Sequence, residues 1–235
     1  MSYIFVLLTT CVLFAIKTKA LLIFYFCYEM CVIPITFIVF LYGYQPEKLQ
    51  ASLSLLLYTV VSRLPLLLYI VYVTDFTFIY SSLVTLLVTI RFIVKTPIYL
   101  LHTWLPKAHV EAPVGGSIVL AGVLLKLGSY GLLLFLPLVK LNVVISFYFS
   151  ISLIGSTIRS LICLRQGDFK LLVAYSSVVH MGVVTLGFIS GSEAGYTCGV
   201  IMILRHGLGS PMLFAFAFWL YESSHSRLLL NNTGS

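Results

Sequence analysis

Glu29, Arg63, Lys126, His180 and the adjacent Arg205–His206 each fall near the middle of an apolar run, and Lys95 falls inside an interrupted one. A charge at mid-helix in a bilayer costs roughly 2.5–3.5 kcal/mol on insertion scales, so such residues persist where they are paired, hydrated or functional. The types present suit proton transfer. Histidine titrates near neutrality and can pass a proton from one ring nitrogen to the other. An amine held in a dry site gives up its proton readily, which makes a buried lysine a carrier rather than a fixed charge. Glu29, Lys126, His180 and His206 are therefore candidate relay residues. Each also has a plainer reading. Glu29 could be a protonated acid bonded to a neighbouring helix, Lys126 one half of a buried pair with Glu29, and the histidines hydrogen-bonded packing residues.

Lys95 opens the stretch KTPIYLLHTWLPKAHVEAP, residues 95–113. Pro97 removes a backbone donor and clashes with the preceding turn, so the helix that starts near residue 77 should break close to Lys95. A break at membrane depth is tolerated where it lines a hydrated or protein-buried cavity. The helix end also carries partial negative charge that favours a cation. A lysine snorkelling to the interface is the alternative, although Arg91, four residues earlier, is the better candidate for that behaviour. His102, His109 and Glu111 raise the question of a metal, but Pro106 interrupts the spacing and no helical i, i+4 pair exists, so no metal site is assigned. Trp104 to Glu111 reads as an interfacial anchor with its charges in water, leaving Lys95 and His102 to face the interior.

The elements that must position these groups are helices. Of 235 residues, 60% are hydrophobic and only 9% charged, where a soluble domain carries roughly 25%. Apolar runs cover 3–16, 20–43, 52–73, 77–104, 113–139, 143–164, 171–190 and 194–220. A spanning helix needs roughly 20 such residues, so the first run is short. Backbone facing lipid must satisfy its own hydrogen bonds, and the runs are too continuous for barrel strands. The expectation is an all-α polytopic membrane protein with seven to eight transmembrane helices, one broken near Lys95–Pro97. Residues 1–230 would form one transmembrane domain and 231–235 a polar tail. Pro34 should loosen the backbone beside Glu29, and Asp168 should cap the helix beginning near Lys170.

Several functions are excluded or disfavoured. The net charge of +7 comes from scattered Lys and Arg with no basic run, which argues for lipid headgroups rather than nucleic acid as partner. Cys11, Cys27, Cys31, Cys163 and Cys198 form no CxxC pair and read as small apolar filler. There is no GxGxxG fingerprint, so no nicotinamide, flavin or iron–sulfur cluster is expected on the chain. The N-terminal run lacks a charged leader and a small-residue cleavage site, and reads as a shortened membrane helix rather than a signal peptide. Basic residues divide almost evenly between the loops of the two sides, which leaves orientation open.

The stretch KTPIYLLHTWLPKAHVEAPVGGSIVLAGVLLKLGSYG closely resembles the signature of the chain-4 family of mitochondrially encoded membrane subunits of NADH:ubiquinone oxidoreductase (respiratory complex I), within the wider antiporter-like superfamily. FYFCYEMCVIPI with GYQPEKLQA resembles the family's glutamate helix and following loop. SLICLRQGDFKLLVAYSSVVHMG, HGLGSPMLF and YESSHSR resemble its paired-histidine region, so the likeness spans nearly the whole chain. The resemblance implies a proton half-channel: Glu29 and Lys95 as an ion pair, Lys126 as central relay lysine, His180 and His206 continuing the axis. It implies NADH, FMN, iron–sulfur clusters and ubiquinone on partner subunits, other membrane subunits of complex I as partners, and the mitochondrial inner membrane as location. The chain resembles an internal piece of the family's sequence, with N-terminal helices and those after residue 227 missing, and with them the family's distal glutamate. Arg63 and Arg205 stand where the family pattern leads one to expect small or neutral residues, and Arg205 would repel a proton on His206. Two alternatives stay open: a cation/proton antiporter subunit of the same superfamily, and a truncated structural subunit that moves no protons.

Overall fold

The computed structural model describes residues 2–18, 21–43, 46–72, 82–136 and 143–232. The expected breaks at Thr74–Asp75 and Lys140–Asn142, and the last residues of the polar tail, lie outside that set. The described chain is built from helices: α1 (Ser2–Lys17), α2 (Leu21–Met30), α3 (Val32–Tyr42), α4 (Lys48–Tyr72), α5 (Ser82–Lys95), α6 (Trp104–Glu111), α7 (Val114–Val119), α8 (Leu125–Phe135), α9 (Val143–Cys163), α10 (Phe169–Ile189) and α11 (Glu193–Ser224). Six stretches are long and apolar enough to cross a membrane: Leu22–Tyr42, Lys48–Val71, Val114–Phe135, Ser146–Cys163, Phe169–Ile189 and Glu193–Ser224. The short apolar α1 and the interrupted α5 bring the described passes to the expected range. The chain is an all-α polytopic membrane protein.

Irregularities in the helices sit beside the ionisable residues and have local causes. Pro34 cannot donate to the Met30 carbonyl, and α2 and α3 meet in a turn at Cys31, two residues after Glu29. The segment Leu120–Leu124, between α7 and α8, is a π-helical turn that ends two residues before Lys126. Pro211 lies inside α11, where it leaves the Gly207 carbonyl without its helical donor. A Cβ on Gly122, in the π turn, would stand 3.1 Å from the Pro211 ring and 3.6 Å from the Gly207 oxygen. Two weakened stretches of helix thus lie against each other.

The break after α5 falls where Pro97 predicts it. Pro97 cannot donate to Ile93, so the Ile98 N–H takes that carbonyl at 3.4 Å, while Thr96 donates to the Phe92 carbonyl through its N–H (2.8 Å) and hydroxyl (3.0 Å). Leu100 adopts a left-handed backbone, φ 79°. The Trp104 indole N–H donates to the Val94 carbonyl at 3.1 Å and closes the loop. The loose end of α5 therefore has its orphan carbonyls met internally, as a break at membrane depth requires.

Two expectations need correction here. Trp104, His109 and Glu111 are buried, as are Leu105 and Ala108, so α6 is not an interfacial anchor. It fills the space between α4 and α10, where its apolar residues and the Trp104 bond to Val94 gain more than exposure would. Asp168 does occupy the N-cap position of α10, but its side chain makes no capping bond. The segment after α11 returns to this point instead. Leu229 N–H donates to the Gly167 carbonyl at 2.9 Å and Phe169 N–H to the Arg227 carbonyl at 3.1 Å. That backbone pairing holds residue 168 extended.

Candidate functional site

Ionisable side chains gather in two clusters that back onto each other. In the first, α2 supplies Glu29, α4 supplies Thr59 and Ser62, and α5 supplies Arg91 and Lys95. Arg91 and Lys95 are one helical turn apart and so share a face. Arg91 is fully buried. Its guanidinium forms a salt bridge with the Glu29 carboxylate and donates to the Thr59 carbonyl (2.6 Å) and the Ser62 hydroxyl (2.8 Å). Arg91 does not snorkel. A guanidinium has five donors in a rigid fork and finds enough acceptors here to stay buried, which an isolated charge could not.

Lys95 is 4% exposed. Its ammonium lies 3.4 Å from the centroid of the Tyr28 ring and donates to the Tyr28 carbonyl at 3.2 Å. The resemblance pairs Lys95 with Glu29. In the structure Arg91 holds the carboxylate, and Lys95 is held by the face of the neighbouring tyrosine. The difference follows from position: Arg91, a turn earlier on α5, reaches Glu29 at its own level. Sequence reading missed Arg91 as a site residue, although its i−4 spacing from Lys95 put it on the same face.

The second cluster joins α8, α10 and α11. Lys126 Nζ lies 2.6 Å from His206 Nδ1 and donates to the Ala121 carbonyl at 2.5 Å. Ala121 belongs to the π turn, five residues back, and π turns release a carbonyl from regular helical bonding. The local distortion thus supplies the acceptor that holds the lysine. His180 on α10 completes the group, its ring centroid 5.7 Å from that of His206. A cavity of about 190 Å³ lined by Ser176, His180, Arg205, His206 and Ser210 adjoins the rings. Arg205 is exposed and lines the same cavity as His180 and His206. Arg63 is half-buried on α4, and its backbone carbonyl accepts from the Tyr25 hydroxyl at 3.4 Å.

Glycine lets the clusters approach. A Cβ on Gly128 of α8 would stand 3.0 Å from Lys95 Cβ, so Lys95 and the helix carrying Lys126 are in backbone contact. A small cavity of about 30 Å³, lined by Thr59, Lys95, Leu120, Leu124 and Leu125 among others, touches both the end of α5 and the π turn. The five residues singled out in the sequence therefore fall into a Glu29/Lys95 group and a Lys126/His180/His206 group. Chemically, a carboxylate held by arginine, an amine held by a ring face, and an amine bonded to an imidazole can each exchange protons with a neighbour. Among the described residues, no group of three or more His, Cys, Asp or Glu side chains is arranged to hold a metal ion.

This fold and this line of buried protonatable groups define a class of membrane protein that known relatives make explicit. Residues 18–234 match the family model described as "NADH:quinone oxidoreductase/Mrp antiporter, TM". The chain belongs to that family. Curated relatives called NADH-ubiquinone oxidoreductase chain 4 include that of Ceratitis capitata, 46% identical over 91% of this chain and 51% of the relative. That of Albinaria caerulea is 43% identical over 89% of this chain and 52% of the relative. The chain thus spans about half the length of these relatives. Among solved structures, a chain of respiratory complex I from Thermus thermophilus superimposes with a TM-score of 0.83 at 24% identity, over 96% of this chain and 52% of that one. A chain of the Mrp complex from Dietzia sp. does so with a TM-score of 0.83 at 20% identity, over 95% and 26%. These two likenesses speak for the fold alone.

Proposed function

We propose that the chain serves as a proton-translocating membrane subunit of a redox-driven pump, the NADH:ubiquinone oxidoreductase of the mitochondrial inner membrane. The observation that carries this reading is the Lys126–His206 contact at 2.6 Å, with Ala121 as a second anchor and His180 beside it. An amine and an imidazole at hydrogen-bond distance in a buried site can pass a proton between them. The names of the curated relatives support the choice of complex. In this reading Glu29, Arg91 and Lys95 form the field-sensing end. Loosening of the Glu29–Arg91 bridge changes the potential at Lys95, and through the Gly128 contact at the helix carrying Lys126. Lys126 and His206 then exchange a proton across their contact, with His180 beside them. NADH, FMN, iron–sulfur clusters and ubiquinone belong to partner subunits, and this chain contributes only the proton path.

A cation/proton antiporter subunit is the second reading, favoured by the equal TM-score of the Mrp complex chain. The two readings part in one experiment. Gently solubilised membranes are run on a native gel stained for NADH oxidation, and the chain is located by mass spectrometry. Co-migration with the NADH-oxidising band is expected; migration in a complex free of that activity would overturn the redox-pump reading and favour the antiporter.

A further inference from the structure

His109 is a buried titratable group that the relay above does not use. Its ring, carried by α6, is fully buried and stacks on Phe214 of α11 with centroids 4.5 Å apart and planes 12° apart. Among the described residues neither ring nitrogen has a hydrogen-bond partner, and the same holds for His206 Nε2, the nitrogen opposite the one that meets Lys126. A buried polar atom left dry is costly, and in native proteins such atoms are met by ordered water where the site is polar and roomy enough.

The surroundings have that character. The ionisable groups acting on the His109 ring are Lys170 of α10, His206 of α11 and Lys126 of α8. Lys170 donates to the Val110 and Ala112 carbonyls at 3.0 and 2.8 Å and also feels Glu111, Asp168 and Arg227. A cavity of about 130 Å³ lined by Ser117, Lys170, Phe214, Tyr221 and Arg227 adjoins the His109–Phe214 stack. Ser117 itself donates to the His109 carbonyl at 3.1 Å. Phe214 follows His206 by eight residues on α11, about 12 Å along the axis. The His109 ring thus packs on Phe214, which lines the Lys170 cavity, and lies within electrostatic reach of His206.

We propose that His109 is the proton-entry link to Lys126, joining the cavity beside Lys170 to His206 through water. This rests on the relay reading given above. Water at the cavity side gives a proton to one nitrogen of His109 as the other nitrogen releases its own toward His206 Nε2. One N–H bond forms and one breaks, and rotation of the ring restores the starting tautomer. Burial, and after it the Lys170 ammonium, disfavours a lasting imidazolium, so the ring conducts protons without storing charge.

The experiment uses the whole complex in sealed membrane vesicles and measures protons moved per NADH oxidised from pH 6.5 to 8.5. His109→Gln keeps polarity and bulk, and His109→Phe keeps the stack on Phe214; neither carries a titrating ring. Both are expected to assemble and to slow proton transfer through this chain by about a hundredfold, the low end of what a positioned acid–base group contributes. The loss should deepen as pH rises, because entry becomes limiting when protons are scarce. A purely structural defect would remove the same fraction at every pH, and that result would overturn the proposal. So would normal pumping in either variant, or failure of both to assemble, which would assign the ring to packing. Lys126→Ala is run alongside. If it pumps normally, the relay reading fails. If it is inactive while His109→Gln pumps normally, only the entry role fails.

Discussion

Arg91 has more at stake than any other single side chain in the first cluster. Its guanidinium holds Glu29, Thr59 and Ser62, and so ties α2 and α4 to α5. Removing one partner of a buried ion pair costs about 3–5 kcal/mol, because the other charge is left uncompensated. Arg91→Met should therefore lower the amount of assembled chain in membranes. A double variant, Arg91→Met with Glu29→Gln, should recover part of that loss, since no lone charge remains. Immunoblots of assembled complex would check both. Glu29→Gln alone leaves Arg91 a neutral acceptor but no counter-charge, so it should lower assembly as well as impair pumping by the complex that does assemble. Glu47→Gln, outside the clusters, should leave pumping unchanged, and proton uptake per NADH distinguishes the two.

At the scale of elements, the helices come close enough to share charges because glycine removes side chains at their crossings. Gly155 on α9 is a tight case. A Cβ there would stand 2.1 Å from Tyr99 Cβ and 3.4 Å from its Cα, in the segment that follows the break after Lys95. Gly155→Ala must push α9 off that segment, at a cost of about 1–3 kcal/mol for overpacking, and should lower the thermal stability of the solubilised complex. Asp168 makes the opposite kind of prediction. It lies just ahead of α10, and burial pushes its carboxyl pKa up against the pull of Arg227 and Lys170. A raised carboxyl favours the protonated form in the fold, so its ionisation weakens the fold as pH rises through the shifted value. Asp168→Asn should therefore be neutral or stabilising at pH 7 and flatten that dependence; thermal melts at pH 3 and pH 7 would show it. Much of this layer was legible in advance. Pro97 marked the break, and an ionisable residue in an apolar run marked Glu29, Lys126, His180 and His206. What stayed hidden depends on partners far apart in sequence. Arg91 and Glu29 are 62 positions apart, and neither composition nor periodicity tells an arginine that snorkels from one that is clamped. The burial of α6 and the return of the chain to residue 168 are tertiary facts of the same kind. The π turn before Lys126 has no proline to announce it.

Across the whole molecule, the layout is a line of protonatable groups inside a shell of apolar helices. Leu153, Ile154 and Leu161 of α9 and Leu204, Leu208 and Trp219 of α11 are exposed, which suits a chain whose outer surface meets lipid or other apolar helices. The same family match that fixes the fold also covers both redox pumps and antiporters, so fold alone does not choose the activity. Both activities require that Lys126 move protons. The measurement that tests this most directly is the proton-to-electron stoichiometry of the Lys126→Ala complex in sealed vesicles. The account predicts normal assembly with proton transfer through this chain lost. Unchanged stoichiometry in an assembled Lys126→Ala complex would contradict it.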